Sequence, residues 1–446
     1  MAARVEASSG SFSSWPATMR WNFLVLGGDI AFFSLGLSIS SAYAVLPLFV
    51  HHLTPENLAV ALIPAIRALG VYAPQLFVAP FVERRSRMLP FILRATVLER
   101  VPYLVLALGA LWLAPTYPGL LLVLFFAMVL LALGSGGLCY PAWLDMVARS
   151  VPGGWIGRFF GFWTGLGGIL GIGGAAIAAA LIARVAWPLN FALCFLLTFA
   201  ALVISFVLLA LGREPARTAI TQTAKSEASP RVGLKQQAGD IWTLLRDDSG
   251  LRRLIVSNAL LGTSTMAAGL FAVAALRQGG LSDADVGVQS TVLFVASTAG
   301  YFLLGALGDR RGHKSVLMWG GVCMGVAALL ALVAHGFLAY AVVFLLLGLY
   351  LAAYGTAGFT FITEYGPEAR RPTYIALASV AYAPFAVAAP LLAGWLADVW
   401  GYGPVFLLSG AAGLAAALAF RFWVPDPRAH AEQSAGPSVH GALPAE

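Results

Sequence analysis

Charge is what this sequence has least of. Of its 446 residues only 11% are Asp, Glu, Lys or Arg, against about 25% in an ordinary soluble domain. Cysteine is almost missing too. The three present (Cys139, Cys194 and Cys323) each sit inside an apolar run, which excludes a disulfide framework and a thiolate metal cluster. No polar stretch is longer than 212–250, so there is no room for a soluble catalytic domain. No Gly-x-x-x-x-Gly-Lys-Ser/Thr loop, Gly-x-Ser-x-Gly elbow or His-Glu-x-x-His pair is found, and each is what its chemistry needs to cradle phosphate, raise a nucleophile or hold zinc. The chain therefore reads as no enzyme, with no cofactor and no metal. The first 21 residues lack an apolar core, so no cleaved signal peptide is expected.

What is there is apolar. Hydrophobic residues make up 60% of the chain, and the mean hydropathy is +0.84. A soluble fold cannot hide that much apolar surface. The apolar runs reach about 20 residues, the length a helix needs to cross hydrocarbon, whereas spanning strands alternate over about ten. The chain is therefore predicted to be an all-α membrane protein. Twelve spans are expected, at 22–50, 57–82, 89–113, 118–142, 157–183, 187–211, 252–276, 286–308, 315–334, 337–363, 373–397 and 402–423. They form a bundle of six over 22–211 and another of six over 251–424. Between these lies the polar linker 212–250, with a short segment 1–21 in front and a disordered tail 425–446 behind. Within the linker, Leu234, Ala238, Ile241 and Leu245 recur at helical spacing and could lay one amphipathic helix on the membrane surface.

The net charge is +7. In a membrane chain this reports orientation and not nucleic-acid binding. Arg84, Arg85, Arg87, Arg149, Arg158, Arg310, Arg311, Lys314, Arg370 and Arg371 occupy one set of connections, and the linker shares it. The opposite set carries little beyond Arg184 and Arg277. The basic side, with both termini, is expected to be cytoplasmic, in the cell membrane.

The two halves echo each other. Glu83-Arg84-Arg85 follows the second span of the first half, and Asp309-Arg310-Arg311 follows the second span of the second half. In the stretch Gly305-Ala306-Leu307-Gly308-Asp309-Arg310-Arg311-Gly312-His313-Lys314, Gly305 and Gly308 allow close helix approach and Gly312 allows a tight reversal. Asp309 can face the positive N-terminus of the eleventh span and pair with arginine. Together they would make a breakable latch. A loop that merely fixes topology is the plainer explanation, but it needs neither the Asp nor the glycines.

At Gly305, Asp309, Arg310, Gly312 and Lys314 the sequence resembles the signature of the major facilitator superfamily of secondary transporters, with His313 in place of an arginine. The first-half copy departs from it, with Glu83 for Asp and Ser86 for Gly. The resemblance implies two pseudo-two-fold-related six-helix bundles. Alternating access and a pathway lined by the first and fourth spans of each half follow from it. Asp145 and Glu364, at the ends of the fourth and tenth spans, would join the latch with Arg158. The glycines of the fifth span (Gly165, Gly167, Gly168, Gly171, Gly173 and Gly174) lack the proline of the family's antiporter signature and are read as close packing between the halves.

Charges at membrane depth are expensive and mark function. They are Asp29, Arg67, Glu99 and Arg100, all in the first half. They are candidates for proton coupling or, equally, for a static neutral network. Asp29, Gly36, Ser40 and Tyr43 share a helical face that could line a cavity. Gln75, Tyr140, Asn258, Tyr350 and Tyr354 complete the candidate lining. The expected activity is movement of a small organic solute by a monomer in the bilayer, proton-coupled and directed outward. A non-transporting sensor or scaffold of the same fold, and a lipid flippase, are the alternatives.

Overall fold

The computed structural model describes residues 15–83, 87–152, 155–215, 246, 248–365 and 371–425; side chains at 72, 75–83, 359, 363–365 and 371–383 lie outside the described set. Among the described residues every regular element is helical. The first half holds α1 (Ala17–Ile39), α2 (Val45–Leu53), α3 (Asn57–Glu83), α4 (Leu89–Leu113), α5 (Pro118–Ser150), α6 (Ile156–Arg184) and α7 (Leu189–Ala210). The second half holds α8 (Ser249–Ser264), α9 (Phe271–Arg277), α10 (Asp283–Arg311), α11 (His313–Ala331), α12 (Gly336–Tyr365), α13 (Arg371–Trp400) and α14 (Tyr402–Leu418). Arg84 and Arg370, the tail beyond 425 and most of the linker, with its expected surface helix, fall outside the described residues.

Nine helices among the described residues are long and apolar enough to cross a membrane. The remaining expected spans, 57–82, 89–113 and 373–397, are helical as well: α3, α4 and α13 occupy them. In α4 the apolar character is diluted by Arg94, Glu99 and Arg100. Several helices outrun the apolar stretch that announces them. Thus α5 continues to Ser150 where the sequence suggests an end near 142. Apolar content tracks hydrocarbon thickness, while backbone hydrogen bonding continues into the polar boundary layer.

One expectation is corrected in both halves. The sequence predicts a continuous first span over 22–50 and a continuous seventh over 252–276, and each is broken. Pro47, in the first turn of α2, has no N–H to give the carbonyl of Tyr43, and its ring crowds that carbonyl. The chain turns there instead, with the Ser41 carbonyl accepting from Leu46 N at 3.0 Å. In the second half Ser264 Oγ donates to Leu261 O at 2.6 Å and Thr265 Oγ1 to Gly262 O at 2.7 Å. Such back-bonding competes with the helical ladder, and a 3₁₀ turn over Thr265–Ala267 separates α8 from α9.

The halves meet along two seams, α6 against α10 and α3 against α13. The glycines of α6 divide between partners. A Cβ on Gly168 would lie 2.8 Å from Thr298 Oγ1, and one on Gly165 2.9 Å from Phe302, both across the seam. Gly167 and Gly174 face Ser34 and Ser38 of α1 instead. On the other seam a Cβ on Gly394 would lie 2.6 Å from that of Ala61. One buried apolar cluster runs through both halves, around Phe49, Phe191, Phe271 and Phe406. A second, around Leu26, Met88, Phe159 and Trp163, belongs to the linker end of the first half alone. The end of the molecule opposite the linker, here the far end, is thus where the halves share a core.

Gly312 has φ of +86° and closes α10 against α11 in the tight reversal that its position suggests. Gly305 differs from the expectation, since a Cβ there would meet nothing within 4 Å. A close helix contact in the second half lies elsewhere. A Cβ on Gly413 of α14 would stand 2.7 Å from the backbone N of Gly325 in α11. Gly413→Val is therefore expected to destabilise the protein by about 1–3 kcal/mol through overpacking, and Gly305→Ala to leave it unchanged. Thermal unfolding of the two variants in detergent checks the contrast.

Candidate functional site

The intramembrane charges of the first half gather around one guanidinium. Arg100 of α4 is 4% exposed. Its Nε donates to Leu202 O at 2.9 Å, and Nη1 donates to Thr96 O at 3.0 Å and to Glu99 Oε2 at 3.2 Å. Its Nη2 donates to Ser205 Oγ at 3.0 Å and stands 3.8 Å from Asp29 Oδ1. Ser205 passes the interaction on, donating to Asp29 Oδ1 at 2.5 Å. The other Asp29 oxygen accepts from Trp143 Nε1 at 3.1 Å. Four helices (α1, α4, α5 and α7) thus converge on one ion cluster.

Helical spacing sets Glu99 and Arg100 about 100° apart, and length makes up the difference. The long guanidinium turns back far enough to hold its neighbour's carboxylate. Glu99 in turn lies against α5, where Gly136 leaves room: a Cβ there would stand 2.6 Å from Glu99 Oε1. The cluster holds two carboxylates and one guanidinium. Asp29 is sealed, with its side chain 8% exposed, while that of Glu99 is 15% exposed.

The expected cavity face of α1 is corrected. Asp29 and Ser40 do share a face with Gly36, but that face packs on α7. Ser40 Oγ and Thr198 Oγ1 are 2.7 Å apart, both buried. A Cβ on Gly36 would meet Leu202 Cδ2 at 3.2 Å. Tyr43, beyond the helix break, goes elsewhere and lies under the Arg67 guanidinium, 5.7 Å from ring centroid to Cζ. Arg67 is exposed in the middle of α3. In the second half, the Tyr301 hydroxyl of α10 faces α12. A Cβ on Gly355 of α12 would meet that hydroxyl at 2.7 Å.

The fourth span of each half carries a stacked aromatic pair. Tyr140 and Trp143 of α5 have centroids 6.1 Å apart and planes 20° apart; Tyr350 and Tyr354 of α12 have centroids 6.3 Å apart, also at 20°. Tyr140 is exposed, Tyr354 half-buried, Tyr350 buried. Asn258 is buried in α8. The side chain of Gln75 is outside the described set.

At the linker end, Asp309 and Arg310 are exposed at the end of α10, with Lys314 half-buried in the first turn of α11. The Arg158 guanidinium covers the ring of Trp155 at 4.7 Å. Asp145 pairs with Arg149 at 3.0 Å, and Arg149 reaches Glu214 at 2.9 Å. Glu214 also accepts from the backbone N–H groups of Met88 and Leu89 at 2.7 and 2.9 Å, capping α4. Glu214 gives no signal in the sequence, because it stands in the linker and reaches its partners only through the fold. The side chains of Glu83, Glu364 and Arg371 are outside the described set. Among the described residues no three His, Cys, Asp or Glu groups converge as metal ligands would.

At the far end, side chains join the halves. His52 Nε2 and Asp283 Oδ2 are 2.6 Å apart. Asp398 of α13 accepts from the N–H groups of Asn57 and Leu58 at the start of α3, at 2.7 and 2.9 Å. Tyr402 donates to Asn57 Oδ1 at 2.6 Å. Arg277 donates to Pro55 O and approaches His51 Nδ1 at 3.4 Å.

Two bundles of this kind, seamed at the second, fifth, eighth and eleventh spans, invite comparison with known folds. The sequence model described as Major Facilitator Superfamily matches residues 254–443. The second half of the chain thus carries the sequence pattern of that superfamily. Among solved structures it is similar to a mutant form of the nucleoside transporter NupG, with TM-score 0.66 at 14% identity, over 89% of this chain and 99% of that one. A bacterial homologue of the iron transporter ferroportin in an inward-facing state gives TM-score 0.65 at 16% identity, over 92% and 100%. A D-xylose-proton symporter gives 0.65 at 16% identity, over 91% and 98%. No curated protein matches the sequence. At these identities the structural likeness shows the major facilitator fold, shared by proteins of different cargo.

Arg100 is expected to be indispensable to the first bundle. Arg100→Met leaves two carboxylates without their cation and should destabilise by about 3–5 kcal/mol. Arg94→Met, at an exposed position of the same helix, should cost no more than about 0.5 kcal/mol. Unfolding transitions of the two variants in matched detergent give the comparison.

Proposed function

We propose that this chain is a secondary transporter that carries a small organic solute across a cell membrane by alternating access, with the linker face cytoplasmic and transport linked to protons. The observation that carries the reading is the cluster of two carboxylates on one guanidinium inside a bundle whose partner bundle it meets along two seams. Unequal numbers of buried charges are costly in a medium of low polarity. With Asp29 and Glu99 both ionised, the cluster has one negative charge more than positive. One added proton makes it neutral. A site that gains or loses that proton as its surroundings change between two conformations is what coupling requires.

The geometry divides the roles. Asp29 is held from three sides by Ser205, Trp143 and Arg100 and serves as the fixed counter-ion. Glu99 makes a single bond to Arg100 and is the less enclosed of the two. We assign the moving proton to Glu99. Arg67, exposed at membrane depth beside Tyr43, and the stacked pairs on α5 and α12 suit a solute with a ring and an acidic or strongly accepting group. The nucleoside and sugar cargoes in the names of similar folds are of that size, and they set the first compounds to try.

A solute is found first by thermal stabilisation of the purified protein. Its uptake into proteoliposomes is then measured with and without an imposed pH gradient. The wild type is expected to respond to the gradient, and Glu99→Gln to keep solute binding while losing that response. A gradient response that survives in Glu99→Gln removes Glu99 from coupling. Stabilising solutes that never cross, with lipid probes crossing or nothing crossing, would turn the reading toward a flippase or a sensor.

A further inference from the structure

The far-end contacts join two moving bodies, and their chemistry is unequal in a way that the alternating-access reading, on which this inference rests, makes consequential. The first N–H groups of a helix have no partner within it and carry partial positive charge. For α3 those groups are capped by Asp398, a residue of the opposite half, 340 and 341 positions away. Opening the far face strips the cap from α3 and the partners from Asp398 at once. Tyr402, bonded to the Asn57 side chain, closes the same corner and is buried.

The second corner holds a histidine against a carboxylate. The His52 ring stacks on Trp187, with centroids 4.6 Å apart and planes at 21°, and meets the edge of Phe191 at 5.7 Å. That stacking fixes the ring so that Nε2 faces Asp283 at 2.6 Å across the halves. Both side chains keep about a third of their surface open, 29% and 33%, so protons from the far-side solution reach them. Asp283 is held in place by the Ser282 capping box that starts α10, in which Asp285 is already engaged. Of the groups around His52, Asp283 is the contacting charge, Trp187 and Phe191 are neutral, and His51 and Arg277 stand behind. His51 is held below the ordinary histidine range by burial, then by Arg277 and by His52. His52, which faces Asp283 directly, is the histidine of the pair placed to pair with it when protonated.

We propose that His52, Asp283 and Asp398 are positioning residues of a far-face gate, in which the Asp398 cap on α3 sets the closed state and protonation of His52 against Asp283 tightens it. A protonated His52 turns the hydrogen bond to the Asp283 carboxylate into a full ion pair. Acid on the far side therefore holds that face shut and favours access from the linker side, while alkaline solution loosens it, over about pH 5 to 8.

The test uses the full chain in lipid nanodiscs with spin labels at Thr116 and Leu338, exposed far-end positions in opposite halves, and reads their distance by double electron–electron resonance. In the wild type the short-distance fraction is expected to grow from pH 8 to pH 5. His52→Gln should lose that pH response while keeping both populations. Asp398→Ala should shift the short-to-long ratio about tenfold toward long at every pH, as expected for loss of charge-assisted bonds, and still respond to pH. A full pH response in His52→Gln, or an unmoved ratio in Asp398→Ala, overturns the gate. A single short distance in every variant and at every pH instead rejects the rocking of the halves, and the gate with it.

Discussion

A guanidinium in the middle of a helical bundle is tolerable only if each of its N–H groups finds an acceptor, because hydrocarbon offers none. Arg100 meets that demand with hydrogen bonds to two backbone carbonyls, a serine hydroxyl and the Glu99 carboxylate, with the Asp29 carboxylate 3.8 Å away as a second counter-charge. The rest of the first bundle is arranged around this requirement. Leu202 and Ser205 bring α7 in, Asp29 brings α1, and Trp143 brings α5. The helices are not held by hydrophobic attraction to one another, since lipid is as apolar as leucine. Small residues that permit contact and polar groups that demand it hold them instead.

The second bundle is built differently. Its spans carry no counterpart of the ion cluster among the described residues, and its helices come close at glycines, as at Gly348 against Leu293 and between Gly325 and Gly413. One half thus holds the buried ion cluster, and the other packs more simply against it along the two seams. Where the halves share a buried apolar core, at the far end, polar side chains also cross between them. Closure there combines a dry interior with a few breakable charged contacts, a pairing suited to an interface that must be tight in one state and absent in another.

Much of this is legible in the residues. Apolar run length gives helices, arginine placement gives two faces, and the Asp-Arg-Arg echo gives two halves with a tight turn at Gly312. The four charges at membrane depth are likewise visible. What a sequence does not say is what stands opposite a helical face. Periodicity groups Asp29, Gly36 and Ser40 correctly, yet their face packs on α7 through Thr198 and Ser205 and lines nothing. Ser205 and Glu214 carry no pattern of their own in the chain, and only the fold brings them to Asp29 and to the start of α4. The same holds for Asp398, which looks like a boundary residue until the start of α3 is set beneath it. The helix breaks depend on Pro47 and on hydroxyl back-bonding at Ser264 and Thr265, signals too local to register against twenty apolar neighbours.

Those breaks have a consequence of their own. The first span of each half is divided, and each short outer piece (α2 and α9) carries or adjoins a residue of the far-end contacts: His51 and His52 on one, Arg277 on the other. An unbroken rod would transmit any tilt of its tip to its whole length. A rod jointed at residues 40–44 or 265–270 can swing its tip while its long inner portion stays packed, because no ladder bond of a continuous helix has to be surrendered at the joint. On the alternating-access reading, the far-side cover would loosen in small, separate movements before any large reorientation of the bundles.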